Sequence, residues 1–292
     1  MIAAEHTRTF PVRDYDLAAT LNSGQAFRWQ RHGDSWTGVI GNRWVRLHAD
    51  QSSIHAETAV SVPDWGWLSD YLQLNLNLED VLRTFPDEEP IRAAVAACRG
   101  LRLLRQDPWE CLASFILSST KQIAQIRGII SLLCERYGEA VAVPPAQAQV
   151  CAFPSAARLA SASEAELRAC KMGFRAPFLL ATARRIAEGQ CDLSRLQTLP
   201  LEAARAELMT FLGVGRKIAD CVLLFAYGYP HAFPVDVWVA KALQQLYFPR
   251  RRVSSSRLLQ FANAHFGPNA GYAQQYLFHY MRLFRSRQAC AR

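Results

Sequence analysis

The sequence predicts an α+β protein, with a small antiparallel sheet domain over residues 1–104 followed by an all-helical domain over residues 105–292. Three observations carry this. Short β-rich stretches alternate with turns from residue 8 to about residue 60; apolar residues recur at helical spacing from Asp107 onward; and half of the 292 residues are apolar, enough for a sizeable core.

In chain order, AFRWQ, WTGVI, RWVRLH and IHAE read as strands, and RHGD, GN and ADQSS as the turns of a meander. VPDWGWLSDYLQLNLNLEDVLRTF is mainly helical after Pro63, PDEEP at 86–90 is a turn, and IRAAVAACRG is a helix leading to the domain boundary. The helical patterns that follow are PWECLASFILSST, IAQIRGIISLLCERY, SAARLASA, EAELRAC, PFLLATARRIAEG and LEAARAELMTF. The last of these, over 201–211, holds neither Gly nor Pro and should run until Gly213 stops it. Further helices are expected near Arg216 and after Asp236, and AGYAQQYLFHYMRLF is the final one. No internal repeat or low-complexity stretch is present.

No run reaches the ~18 apolar residues of a membrane span, and MIAAEHTRTF lacks a signal-peptide core, so a soluble intracellular protein is expected. The eight cysteines all lie more than ten residues apart, which excludes a CxxC-type zinc site or a compact iron–sulfur loop; reduced core thiols are expected. Thirty-three Lys and Arg face 25 Asp and Glu, giving a net charge of +8 and a pI near 9.2, as suits a polyanionic partner. From Val237 to Arg292 there is no acidic residue, while Lys241, Arg250, Arg251, Arg252, Arg257, Arg282, Arg285, Arg287 and Arg292 supply nine cations interleaved with aromatics. That pattern favours nucleic acid over a solvated tail.

The stretch FLGVGRKIADCVLLFAYGYPHAFPVDVW, residues 211–238, concentrates the chemistry. Gly213, Val214 and Gly215 form a short hairpin between two helices, where the glycines permit a sharp turn and close backbone approach. N–H groups at the start of the second helix favour an anion. Lys217 falls in that helix's first turn, ahead of Ile218, Ala219, Val222, Leu223 and Phe225. An amine beside such a wall is a candidate nucleophile, because partial desolvation disfavours the ammonium form. Asp236 stands at the N-terminus of the third helix. Taken singly, the lysine is more often a solvated surface residue and the aspartate only a cap. Their combination with a phosphate-holding turn in a basic protein points to DNA chemistry.

Five ordered segments then carry a resemblance: SGQAFRW at 23–29, LLRQDPWECLASFILSS at 103–119, MGFRA at 172–176, GVGRKIADC with PVDVW, and FGPNAGYAQQYLF at 266–278. Over almost its full length the chain resembles the 8-oxoguanine DNA glycosylases of the helix-hairpin-helix superfamily. The resemblance implies a sheet domain of the TATA-binding-protein type ahead of the helical domain. It also implies base excision from damaged double-stranded DNA followed by strand nicking. Lys217 matches the lysine that attacks the sugar C1′ and forms a Schiff base, and Asp236 the carboxylate that assists it. Gly24 matches the carbonyl that accepts the N7 proton of 8-oxoguanine. Cys221 and Phe278 match the groups that sandwich the flipped base, and Gln274 the amide that reads its Watson–Crick edge.

Phe174 stands at the position of the wedge tyrosine, and Arg175 keeps the neighbouring arginine that contacts the opposite cytosine. Thr120 and Gln125 replace the two other cytosine-reading groups, an asparagine and an arginine, so relaxed discrimination opposite the lesion is expected. Trp238 replaces a phosphate-side histidine, and Phe211-Leu212 replaces Leu-Pro before the hairpin. The resemblance implies no cofactor and no metal beyond a monovalent cation at the hairpin, and a monomer without membrane contact. A helix-hairpin-helix glycosylase for another damaged base and a non-catalytic hairpin DNA-binding module are the alternatives at this point.

Overall fold

The computed structural model describes residues 5–290, with side chains to residue 283; Arg285, Arg287 and Arg292 of the basic segment lie outside the described side chains. The strands are β1 (Glu5–Pro11), β2 (Gln30–His32), β3 (Ser35–Ile40), β4 (Arg43–Ala49) and β5 (Ser53–Val62). They form one antiparallel sheet in the order β1-β5-β4-β3-β2. Alternation sets its buried face: Ile54, Ala56 and Thr58 of β5 are buried, as are Val45 and Leu47 of β4 and Trp36 of β3, while Trp44, next to Val45, is buried outside that alternation. Pairing of Trp36 with Leu47 and of Leu47 with Ala56 places these side chains in one layer.

The sheet departs from the sequence reading in four places, the first being that Arg31 and His32, read as part of a turn, pair with Trp36 and Ser35 in β2. Glu5–Pro11 is an edge strand paired with β5 that opens the sheet, although no β pattern marks it. Leu17–Asn22 is a helix, α1, capped by Asp16 Oδ1 accepting from Ala19 N at 2.8 Å. AFRWQ is not a strand apart from Gln30: its bulky residues are anchors in an irregular segment, Phe27 packing into the helical core and Trp29 into the sheet core. Its β-prone composition reports burial rather than extended pairing.

Helices α2 (Gly66–Leu72), α3 (Leu78–Leu82) and α4 (Glu89–Cys98) follow the sheet. The second half of the chain holds α5 (Pro108–Leu117), α6 (Ile123–Tyr137), α7 (Ala156–Ala160), α8 (Glu164–Leu167) and α9 (Ala176–Ala187). It continues through α10 (Leu201–Leu208), α11 (Arg216–Val222), α12 (Val237–Tyr247), α13 (Ser255–His265) and α14 (Ala270–Cys290). A two-stranded ladder, Ala140–Val141 with Val150–Cys151, interrupts the helices where no β signal was read. Apolar residues of α3 and α4, among them Leu78, Val81, Ile91 and Ala94, join the same core as α5, α11 and α14. Phe115 of α5 stacks on Phe225 at 5.6 Å and meets Phe27 edge-on at 5.5 Å, tying the irregular segment to that core.

Helix α10 ends at Leu208, three residues before the end expected from its composition. Met209 to Leu212 form tight turns, with Phe211 N donating to the Leu208 carbonyl and Val214 N to the Phe211 carbonyl. The buried ring of Phe211 satisfies the core from a turn as well as a helix would, so composition does not mark the break. Helix α11 does start at Arg216 and passes into a π-helical turn, Leu223–Tyr227, that carries its apolar face onward.

Candidate active site

A single cavity of about 1120 Å³ lies between α5, α6, α11, α12 and α14. It is large enough for one extruded nucleotide with its sugar and flanking phosphates. Its walls include Gly24, Ser118, Thr120, Lys217, Cys221, Asp236, Trp238, Gln274, Phe278 and Arg282. Residues from both ends of the chain are therefore brought to one place.

The hairpin sets Lys217. Gly213 has φ +78, and a Cβ there would stand 2.4 Å from the ring of Phe178, so both conformation and space require glycine. Val214 is buried beneath the turn, whereas the space around the Cα of Gly215 is open to 4 Å. Lys217 leaves α11 half-buried, with Nζ donating to Ser118 Oγ at 3.2 Å and lying 5.2 Å from the ring centroid of Phe115. The hairpin is braced from behind by a buried ion pair across it, Arg205 Nε of α10 to Asp220 Oδ1 of α11 at 2.6 Å. Ser118 and Asp220 lie within the motif segments but were given no role from the sequence, because the lysine contact of one and the ion pair of the other join separate helices.

Asp236 is both a cap and a cavity residue. Its Oδ1 accepts from Trp238 N at 2.9 Å and from Val239 N at 2.8 Å, fixing the carboxylate at the start of α12. Burial pushes its pKa above the ordinary carboxylate range; the two backbone donors and the charge of Lys217 oppose that shift only in part. Trp238 lies on the cavity wall, and Lys241 Nζ stands 5.9 Å from its ring centroid.

The opposite wall is a narrow slot. Gly24 has φ +84, and a Cβ added to it would lie 2.9 Å from Ile123 Cδ1, 3.1 Å from Arg282 Nη1 and 3.3 Å from Phe278 Cε1. A Cβ there would push these side-chain ends aside at a φ that residues other than glycine rarely adopt. The loop is held by buried amides: Gln25 Nε2 donates to the carbonyls of Thr20 (2.9 Å) and Arg102 (2.8 Å), and Gln275 Nε2 to that of Ser23 (3.2 Å). Gln274 is buried, and among the described residues its Oε1 accepts no hydrogen bond. A buried acceptor without a protein donor on a cavity wall is open to a donor from water or from a ligand. Cys221 completes the slot, with burial pushing its thiol up to about 12, so it presents a neutral sulfur.

The residues expected to face the opposite strand divide. Phe174 is 52% exposed and meets Phe178 edge-on at 6.1 Å, so the wedge position and the hairpin rest on the same ring. Arg175, expected at the opposite cytosine, is held by the protein itself. It is 2% exposed, its guanidinium donating to the carbonyls of Ser119 and Met172 and to Thr120 Oγ1. Thr120 lies on the cavity wall at φ +56, an unusual conformation for a β-branched residue and an easier one for asparagine. Gln125 is turned away from the cavity to cap α6, its Oε1 accepting from Gln122 N at 3.1 Å. Among the described residues no cluster of three or more His, Cys, Asp or Glu could hold a metal ion, and no helix is long and apolar enough to cross a membrane.

A helical hairpin presenting a lysine, an aspartate capping the next helix and a base-sized slot behind them define a helix-hairpin-helix protein of DNA base excision repair. The chain belongs to the HhH-GPD superfamily of base excision DNA repair proteins, which residues 113–264 match, while residues 9–112 match the N-terminal domain of 8-oxoguanine DNA glycosylase. It is 30% identical to the N-glycosylase/DNA lyase OGG1 of Arabidopsis thaliana over 294 residues, covering 92% of this chain and 79% of that protein. A probable N-glycosylase/DNA lyase of Methanothermobacter thermautotrophicus is 28% identical, with 93% and 95% covered. The 8-oxoguanine glycosylase/lyase of Clostridium acetobutylicum, solved with double-stranded DNA containing cytosine opposite 8-oxoguanine, superposes with a TM-score of 0.88. That structure is 29% identical and covers 95% of this chain and 98% of its own. The residues of α14 that line the cavity lie beyond both family matches, so their placement rests on the tertiary structure.

Proposed function

We propose that this protein excises 8-oxoguanine from double-stranded DNA and nicks the resulting abasic site through a lysine Schiff base. The observation that carries this reading is the convergence of Lys217, Asp236 and the Gly24–Phe278 slot on one cavity. The flipped base enters the slot between Phe278 and Cys221. Its N7 proton meets the Gly24 carbonyl, and its Watson–Crick edge meets the orphaned Oε1 of Gln274. Guanine lacks that N7 proton and would set a lone pair against a buried acceptor, a mismatch worth about 1–3 kcal/mol.

Lys217 then attacks C1′ as the glycosidic bond breaks, and the Asp236 carboxylate stabilises the cationic sugar in a site of restricted water. The amine nitrogen becomes bonded to C1′ and gives up a proton; its lone pair then forms the iminium as the C1′–O4′ bond breaks and O4′ takes up a proton, and loss of a C2′ proton expels the 3′ phosphate by β-elimination. Phe174 fills the gap left in the helix. With Arg175 turned inward and Gln125 capping α6, the base opposite the lesion meets few specific donors, which supports relaxed discrimination there.

In this reading the enzyme acts as an intracellular monomer and needs no cofactor. A monovalent cation at the hairpin would be held by backbone carbonyls of that turn. No step requires it.

Borohydride trapping tests the reading. Wild-type protein should form a covalent adduct with an 8-oxoguanine duplex, and Lys217→Gln should form none while still binding the duplex. No adduct with wild type on this lesion, or an adduct only with an alkylated or other oxidised base, rejects the assignment.

A further inference from the structure

Arg282 ends a row that the rest of the site does not use. Gln274, Phe278 and Arg282 succeed one another at four-residue spacing on α14, so they share one face of the helix, and all three line the cavity. Arg282 Nη1 donates to the Asn22 carbonyl at 3.2 Å and lies 3.1 Å from where a Cβ of Gly24 would stand. Its guanidinium carbon is 5.6 Å from the ring centroid of Phe278. A cation is thus set against both the glycine and the aromatic ring that bound the base slot. Burial and the nearby charge of Arg127 work against it, and Asp236 works in its favour. An arginine stays protonated under such conditions, so its charge persists in a half-buried site.

The chemistry of base release gives that charge a target. When C1′–N9 breaks, the bonding electron pair leaves with the purine, and the new bond at C1′ is made by the Lys217 amine. The proton released from the lysine nitrogen balances the charge once it reaches the departing base; until then the purine is anionic. The negative charge spreads from N9 onto the carbonyl oxygens, and a base seated with its N7–H on Gly24 places O8 beside that glycine. We propose that Arg282 is a catalytic residue of base release, stabilising the anion of the leaving purine, a role that rests on the reading of the cavity given under Proposed function. Nicking of a preformed abasic duplex involves no purine and makes no use of this charge.

The test separates the two steps. Single-turnover release of 8-oxoguanine and nicking of a preformed abasic duplex are measured for wild type, Arg282→Gln and Arg282→Lys. The ratio of release to nicking should fall by roughly 10²-fold in Arg282→Gln, the scale of one lost transition-state donor, and recover partly in Arg282→Lys. Across 8-substituted purines of graded N9 acidity, Arg282→Gln should show the steeper dependence of rate on leaving-group acidity. Equal loss of both steps would make Arg282 structural, and loss confined to lesion affinity with an unchanged acidity slope would make it a binding residue; either overturns the proposal. Unchanged release in Arg282→Gln overturns the role of Arg282 alone. A wild-type protein that nicks abasic DNA but releases no 8-oxoguanine overturns the underlying reading as well.

Discussion

Replacing Gly24 by alanine tests the base slot with a single methyl group. The added Cβ would stand 2.9 Å from Ile123 Cδ1, 3.1 Å from Arg282 Nη1 and 3.3 Å from Phe278 Cε1. The φ of +84 adds a conformational cost of about 1–2 kcal/mol for any residue with a Cβ. The nearest atoms are side-chain termini, so the fold can yield by a few tenths of an ångström and the protein should remain folded, destabilised by about 2 kcal/mol once the strained φ and the crowding are combined. Ile123, Arg282 and Phe278 must each give by a few tenths of an ångström, and since misplacement of a substrate by about 1 Å is worth about 10²-fold in rate, a shift of that size is worth roughly 5- to 10-fold. Single-turnover release of 8-oxoguanine by Gly24→Ala should therefore fall by roughly 5- to 10-fold, whereas nicking of a preformed abasic duplex should fall no more than about threefold. Equal losses in both assays, or excision within about threefold of wild type, would refute the claim that Gly24 bounds the base slot.

Four further outcomes are expected of the site. Asp236 must be ionised to act, and burial raises its pKa, so excision should decline on acidification from a pH above the ordinary carboxylate range. Because a raised acid pKa means that ionisation costs the folded state, and asparagine caps a helix as well as aspartate does, Asp236→Asn should slow the chemistry without lowering the thermal midpoint near pH 7; joint loss of rate and stability would make the residue structural. Asp220→Ala should cost about 3 kcal/mol in urea denaturation, the lower end for a broken buried pair because Glu202 still contacts Arg205; a loss below about 1 kcal/mol would show that the pair does not brace the hairpin. Cleavage of 8-oxoguanine opposite C, A, G and T should vary by less than about tenfold, or about 1.4 kcal/mol, and a strong preference for C would show that Arg175 turns outward on DNA.

Much of the site was legible because its parts are local. GVG followed by Arg216 and Lys217 encodes a turn, a helix start and a first-turn amine within a few residues, and Asp236 caps the helix that follows it. The sheet was readable from β3 to β5, where polar and apolar residues alternate, but not at β1, an edge strand that buries almost nothing. AFRWQ misled for the opposite reason: Phe27 and Trp29 are bulky because each enters a different core, not because the backbone is paired. The end of α10 at Leu208 was hidden by Phe211, whose burial in a turn mimics helical periodicity.

By itself, then, the sequence determined the order of sheet and helices, the basic character of the surface, and the positions of a lysine and an aspartate around a glycine hairpin. Only the tertiary structure decided that Gly24 is crowded by Phe278 and Arg282, that Arg175 is spent on the Ser119 carbonyl and Thr120, and that Gln125 caps a helix. The Arg282–Asn22 hydrogen bond joins residues 260 positions apart. Periodicity and capping act over a few residues, whereas the base slot is made where two distant segments meet, and its dimensions are fixed by packing that no local pattern encodes.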